Sequence, residues 1–212
     1  MKPLFKSDLN EILEHSREDL LALKGARIFI TGGTGFFGKW ILETLMHARV
    51  QLLDSDLKIT VLTRSPKKSQ ELFQNSFSVE SIQWWEGDIR TFSFPSGHFS
   101  HIIHAATPAR ASINDESPNE MLGITALGTG RALEFAKHSS ATRFLLTSSG
   151  AVYGSQPSEL YGIPEDHAGF IDPMDPKNAY AVGKLFSEHA CRLAATPHLN
   201  CLIARCLSLI HI

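Results

Sequence analysis

Residues 26–38 read ARIFITGGTGFFG, and their order decides the fold. Ala26–Thr31 is a short apolar run that reads as a strand. Gly32, Gly35 and Gly38 then punctuate a turn, and Phe36–Ala48 continues as a helix. Glycines at this spacing permit a tight turn, close approach of a pyrophosphate to backbone N–H groups, and close packing of helix on strand. A GxxGxxG string alone reads equally well as a turn with helix packing. Its place after a strand and before a helix makes it a phosphate-binding candidate, with Phe36 and Phe37 at its rim.

Working outward, the same alternation repeats. Lys58–Thr63, Ile82–Trp85, His101–His104, Arg143–Thr147 and Asn200–Cys206 read as further strands, separated by helical patterns over roughly 118–138 and 179–195. Short apolar strands alternating with amphipathic helices predict an α/β doubly wound parallel sheet with both faces covered. Residues 8–23 place Leu9, Ile12, Leu13, Leu20 and Leu23 at helical intervals among acids, which predicts an amphipathic helix on the outside of the domain. The expected division is a helical extension over 1–24 and a dinucleotide-binding domain over 25–212. Residues 154–178 are proline-rich and aperiodic, a long loop at the carboxyl edge where ligands of open parallel sheets bind.

With 212 residues, 43% hydrophobic and 20% charged, the chain suits one globular domain. A net charge of −2 gives no reason to expect nucleic acid or an anionic membrane as partner. No apolar run is long enough to span a bilayer, and the first residues lack a signal-peptide core. Cys191, Cys201 and Cys206 lack metal-site spacing, and the apolar neighbours of Cys201 and Cys206 read as those of buried reduced thiols in a strand. The expectation is a cytoplasmic protein without a metal.

The chemistry sits downstream, in NAYAVGK, with Tyr180 four residues before Lys184, and in LLTSSGAVYG, with Ser149. A phenol is a poor base at neutral pH, its ordinary pKa being about 10; lowering it to about 7 takes about 4 kcal/mol. One helical turn puts the Lys184 ammonium on the Tyr180 face, where a fixed cation favours the phenolate. Ser149, just past the fifth strand, can hydrogen-bond a substrate oxygen. Alone, each has an ordinary reading in turn or helix-surface chemistry; in this order, behind the glycine turn, the three predict a hydride-transfer site.

Other positions line the expected cofactor path. Arg64 follows the second strand where an acid would grip the ribose of NAD; it suits a 2′-phosphate or a solvated basic turn, a lean towards NADP. Asp88 can accept from an adenine amino group with Ile89 packed on the ring, or cap a turn. His104, Ala105 and Ala106 close the fourth strand; the small residues leave room for the cofactor, and His104 is given no catalytic role.

From Arg27 to Arg205 the chain resembles the extended short-chain dehydrogenase/reductase family, in its NAD-dependent epimerase/dehydratase branch acting on nucleotide sugars. The resemblance rests on the glycine turn, Gly87-Asp88-Ile89, His104-Ala105-Ala106, the Ser149–Gly154 segment, the Glu165 loop and Tyr180-Ala181-Val182-Gly183-Lys184. It implies NAD or NADP as cofactor and a nucleotide sugar as substrate. It implies that Tyr180 takes the proton of the sugar C4 hydroxyl, Lys184 holds the nicotinamide ribose and lowers the Tyr180 pKa, and Ser149 binds the same oxygen. The resulting 4-keto sugar is then reduced on its other face, dehydrated or decarboxylated. A homodimer through the helices before and around Tyr180 is likewise implied.

Departures shape the expectation. Gly150-Ala151 stand where the family's dehydratases carry an Asp-Glu pair, which favours epimerase or ketosugar-reductase chemistry over 4,6-dehydration. An acid from the long loop, Glu165 or Asp166, facing the sugar would reverse that preference. Thr125 stands in the place of a usual asparagine, and Thr63 in that of the NAD-selecting aspartate. Family members generally continue beyond the sixth strand, so the expectation is a C-terminally truncated chain that binds cofactor without useful turnover. A reading of another class, a non-catalytic redox-sensing module, would have no use for Ser149, Tyr180 and Lys184.

Overall fold

The structure, a computed structural model, describes residues 3–107, 116–156, 159 and 161–207. Its centre is a six-stranded, wholly parallel sheet. The strands are β1 (Arg27–Thr31), β2 (Lys58–Thr63), β3 (Ile82–Glu86), β4 (His101–His104), β5 (Arg143–Ser149) and β6 (Asn200–Cys206), in the order β3-β2-β1-β4-β5-β6. The order reverses between β1 and β4, so loops on either side diverge there and open a crevice at the carboxyl ends. This is the doubly wound architecture expected.

Strand alternation divides the core. On β1, Ile28 and Ile30 face one layer with Leu42, Leu45, Val61 and Phe73; Phe29 faces the other with Phe92, Phe99, Phe135 and Phe144. The Phe29 ring lies 4.6 Å from Phe135 and 5.5 Å from Phe92. Covered on both faces, β1 has no polar alternation, which is why it reads as a continuous apolar run.

The covering helices are α1 (Lys6–His15), α2 (Arg17–Leu21), α3 (Phe36–Gln51), α4 (Pro66–Phe73), α5 (Pro118–Leu122), α6 (Gly128–His138) and α7 (Ala179–Ala194). Three details differ from expectation. The 8–23 segment breaks at Ser16 into α1 and α2, which bury Leu9, Leu13 and Leu20 while the Leu4 N–H donates to Glu43 Oε2. Helix α4 fills a stretch with no helix expected, started by Pro66 at its first position. The 118–138 helix is interrupted by a π turn over Gly123–Leu127, where Thr125 Oγ1 donates to Met121 O at 2.7 Å.

Candidate active site

The glycine turn runs from the end of β1 into α3. Gly32 has φ +72°, the left-handed region, and a Cβ there would strike the Ala105 carbonyl beyond β4. A Cβ on Gly38 would strike Gly32 O and lie 2.6 Å from Gly33 Cα. Gly35 caps α3 without a side-chain hydrogen bond, and no acid stands in the helix's first turn. The result is a bare backbone cradle at a helix N-terminus, rimmed by Phe36 and Phe37, which are 60% and 38% exposed. The residues present therefore fit an anionic pyrophosphate.

The next loops carry the other expected contacts. Arg64 is exposed just past β2, while Thr63 Oγ1 lies 2.7 Å from Ser69 Oγ on α4. Asp88 follows β3, and both its carboxylate oxygens accept from Arg90, from Nε and Nη2 at 2.8 Å. Those hydrogen bonds hold Asp88 at a pKa of about 2. Asp88 Oδ1 also accepts the Arg90 N–H at 2.9 Å, so the turn-capping alternative describes its present contacts. Ile89 is buried against the Phe29–Phe135 layer.

His104 requires a correction. Its ring is 2% exposed, with Nδ1 2.7 Å from Thr31 Oγ1 and Nε2 3.1 Å from Thr129 Oγ1. Both nitrogens are engaged inside the protein, so the side chain is no surface for a cofactor. Burial pushes its pKa down to about 3, with the Lys184 charge adding to the effect, and the ring is neutral. Ala105 and Ala106 remain half-buried at the crevice.

Lys184 lies at the junction of these pieces. It is 4% exposed on α7, and its Nζ donates to Thr147 O on β5 at 2.7 Å and to Thr107 Oγ1 at 2.8 Å. Thr107 directly follows Ala105-Ala106, the backbone against which the glycine turn packs. The ammonium also lies 5.8 Å from the centre of the Tyr180 ring, which is half-buried one turn earlier. Burial pulls the Lys184 pKa down to about 8, against smaller opposing effects of Cys206, Glu188 and Cys191. Ser149 ends β5 rather than following it, and its Oγ accepts the Ala151 N–H at 3.2 Å as the cap of a short 3₁₀ turn.

Sequence reasoning missed a second cluster beside these residues. Glu188, one turn beyond Lys184, receives Arg205 Nε and Nη2 at 3.0 and 2.8 Å and the Ser148 hydroxyl at 2.5 Å. Arg205 also donates to Glu165 O at 2.6 Å, tying the long loop to β6, and stacks 4.7 Å from the Tyr153 ring. Burial alone would raise the Glu188 pKa; the Arg205 and Ser148 hydrogen bonds overcome it and hold it low. Arg205 is the lone charge on β6, a signal available in the sequence. The side chains of Glu165 and Asp166 are exposed.

A separate hollow of about 500 Å3, lined by Arg27, Arg49, Lys58 and Glu80, opens at the amino ends of the strands and shares none of these residues. Among the described residues no cluster of three metal-ligating side chains occurs, and no helix is long and apolar enough to cross a membrane. Of the cysteines only Cys191 is buried, its thiol pushed up to about 12 by burial; Cys201 and Cys206 are half-buried, which corrects the expectation for the β6 pair.

The chain is similar in sequence and in fold to known proteins. UDP-glucuronic acid decarboxylase 1 of Danio rerio is 28% identical over 165 residues, 78% of this chain and 37% of the relative. UDP-glucose 4-epimerase of Rickettsia rickettsii is 22% identical over 182 residues, 84% of this chain and 50% of the relative. The solved UDP-Glc/GlcNAc 4-epimerase of Campylobacter jejuni shares the fold with a TM-score of 0.69 at 23% identity, over 85% of this chain and 53% of that one. The chain thus spans about half, or less, of the length of these proteins. The family model for the NAD dependent epimerase/dehydratase family matches residues 28–210. With the glycine cradle, the Tyr180–Lys184 helix and that match in hand, the chain belongs to the NAD dependent epimerase/dehydratase family.

Proposed function

We propose that this chain binds NAD or NADP along the crevice from the glycine turn to Lys184, and that the protein epimerises a nucleotide sugar through a 4-keto intermediate. The observation that carries the reading is the seat of Lys184, pinned to Thr107 and Thr147 between the glycine turn and β5 and facing Tyr180. When bound, the nicotinamide supplies a two-way hydride carrier. Gly32, Gly35 and Gly38 leave backbone room for its pyrophosphate, with Phe36 and Phe37 at the rim. Ala105 and Ala106 border its path, and Lys184 holds its ribose. Asp88 and Ile89 would border the adenine.

Tyr180 would accept the proton of the sugar hydroxyl while Ser149 holds the same oxygen. With a bound nicotinamide to take up the C–H hydride, Tyr180 would hold the O–H proton and give it back to the carbonyl oxygen, and epimerisation would result where the hydride returns to the opposite face of the carbon. Arg64, exposed beyond β2 where an acid would select NAD, leans towards NADP. Parallel titrations with NAD and NADP, repeated with Arg64→Ala, decide that point. For the reaction, conversion of UDP- and dTDP-sugars by the full-length protein is compared with that by its Tyr180→Phe variant, which should lose about 10²–10⁴-fold if the phenol is the proton acceptor. Equal turnover by both forms refutes the assignment.

A second reading, decarboxylation, is favoured by the UDP-glucuronic acid decarboxylases among the relatives. Its test is release of carbon dioxide from UDP-glucuronic acid, dependent on Glu165. Exposed Phe186 and Leu193 on α7 and Leu127 before α6 support the proposal of a homodimer, checked by sedimentation equilibrium. A cytoplasmic location is part of the same reading, checked by cell fractionation.

A further inference from the structure

Beneath the candidate site runs a second row of polar groups, sealed from solvent. Thr31, the residue before Gly32, meets His104 Nδ1 at 2.7 Å; His104 Nε2 meets Thr129 Oγ1 at 3.1 Å. Thr129 Oγ1 donates to Thr125 O at 2.6 Å and lies 2.9 Å from Ser187 Oγ. Ser187 Oγ in turn donates to Gly183 O at 2.8 Å, with Thr125 O at 3.0 Å. The five residues, Thr31, His104, Thr125, Thr129 and Ser187, are each at most 2% exposed, Thr125 joining the row through its carbonyl. The row links β1, β4, the π turn, α6 and α7.

One tautomer gives every proton of this row an acceptor. Thr31 Oγ1 accepts the Ala106 N–H at 3.3 Å, and with His104 protonated at Nε2 its own proton has an acceptor in Nδ1. The neutral ring then carries its proton on Nε2 and donates to Thr129, whose proton goes to the Thr125 carbonyl, its nearest acceptor. Ser187 spends its proton on Gly183 O and Thr125 O, so Thr129 and Ser187 are joined through the Thr125 carbonyl that both reach. Each hydroxyl proton has an acceptor, which is the condition for a buried polar row to rigidify rather than weaken a fold. Ser187 lies three residues after Lys184 and seven after Tyr180, on one helix face. No member of the row is open to the crevice, so it does not take part in proton transfer to a substrate. What it fixes is where α7 sits on the sheet.

We propose that His104, Thr129 and Ser187 are positioning residues that set the spacing between the glycine turn and the Tyr180–Lys184 face of α7, so that both halves of a dinucleotide are gripped at one distance. The proposal rests on the reading of the glycine turn as a dinucleotide site. It makes a distinction that a purely structural role does not. A weakened row should loosen the Lys184 half of the site and leave the glycine half intact.

The test uses Thr129→Val and Ser187→Ala, which delete hydroxyls of the row, and Thr129→Ser, which keeps one. Thr60→Val serves as control, since it removes the 3.0 Å hydrogen bond to Gln83 far from the row. The first readout needs no cofactor: NMR titration of the Lys184 ammonium in protein labelled with [ε-13C]lysine. Wild type, Thr129→Ser and Thr60→Val should titrate near about 8, while Thr129→Val and Ser187→Ala should move by about one unit towards the ordinary 10.5. The second readout compares NAD with ADP, which occupies only the glycine half. NAD affinity should fall about tenfold in the two deletion variants, with ADP unchanged within about twofold.

Lys184 titrating as in wild type in both deletion variants, or NAD and ADP affinities falling together, overturns the proposal. Should Thr129→Val fail to fold, the smaller Ser187→Ala decides alone. If the wild type binds neither NAD nor ADP, the cofactor reading fails, and the Lys184 titration still decides whether the row positions α7.

Discussion

Replacing Gly183 by alanine probes the closest approach between α7 and the π turn. The helical backbone there accepts alanine, and propensity alone would stabilise by about 1 kcal/mol. The added methyl, however, would stand 2.8 Å from Thr125 Cβ and nearer still to Thr125 Oγ1, with Leu122 Cδ1 at 3.6 Å. Thr125 has little freedom to retreat: it is 2% exposed, its hydroxyl donates to Met121 O, and its carbonyl accepts from Thr129 and Ser187. Overpacking of a well-filled interior costs about 1–3 kcal/mol, so the net expectation is a loss of about 1 kcal/mol. Gly130 on α6 is the internal comparison. No described atom lies within 4 Å of a Cβ built there, so Gly130→Ala should gain about 0.5–1 kcal/mol. Urea unfolding with an unchanged m value reads both variants on one scale. Thr125→Ala in the Gly183→Ala background removes the nearest atom but leaves the 2.8 Å contact with Cβ, so it should recover part of the loss. A Gly183→Ala protein as stabilised as Gly130→Ala would refute the contact.

Three further outcomes follow from the same geometry. Gly38→Ala places a methyl against Gly32 O and Gly33 Cα, backbone atoms that cannot swing away; we expect about 2 kcal/mol of destabilisation and loss of NAD binding by calorimetry, whereas unaltered binding would count against the cradle. Lys184 has a folded pKa of about 8 below its ordinary 10.5, so below pH 8 the fold carries the whole burden of its charge. Between pH 8 and 10.5 the native protein sheds that proton first, and wild-type stability should climb relative to Lys184→Met by up to about 1.4 kcal/mol per pH unit; a flat difference contradicts the burial argument. Arg205→Met leaves Glu188 with Ser148 as its remaining polar partner among those described; with Arg205 29% exposed, we expect a loss of about 2 kcal/mol, below the range for fully buried pairs. The same variant frees Glu165 O, so protease cleavage within 161–170 should accelerate, and unchanged cleavage would rule out the tether.

The parts of the molecule that sequence makes legible are those in which one local pattern has one physical meaning. An apolar run without alternation, followed by glycines and a helix, announced β1 and its turn, because a strand covered on both faces has no polar side. Tyr180 and Lys184 were legible because four residues on a helix are neighbours whatever the tertiary structure. Contacts between distant segments were not. At the level of sequence Asp88 suits an adenine acceptor, but its pairing with Arg90 depends on the shape of a turn. The break at Ser16 follows from α1 and α2 docking separately on the core, which a continuous period of leucines does not disclose. His104 was grouped with the cofactor contacts by its place at a strand end, yet Thr31 and Thr129 arrive from 73 and 25 residues away to close it off. Helix α4 escaped notice because its eight residues bury only Ser69 and Phe73.

The last strand, β6, carries a consequence for how this polypeptide behaves in company. Among the described residues it pairs with β5 alone, so its outer rim there offers a ladder of backbone donors and acceptors, and Leu202 and Ile203 are 53% and 40% exposed beside it. Natural rims of this kind are usually blunted by a lysine, a proline or a bulge. Here the single charge, Arg205, is turned inward to Glu188, and Asn200 guards just one end. The opposite rim, β3, shows Gln83 and Glu86 to solvent instead. Among the described residues the sheet is therefore adhesive on one side only, and any chain that accreted there would extend it as a seventh strand beside β6, one strand removed from the Thr147 carbonyl that holds Lys184.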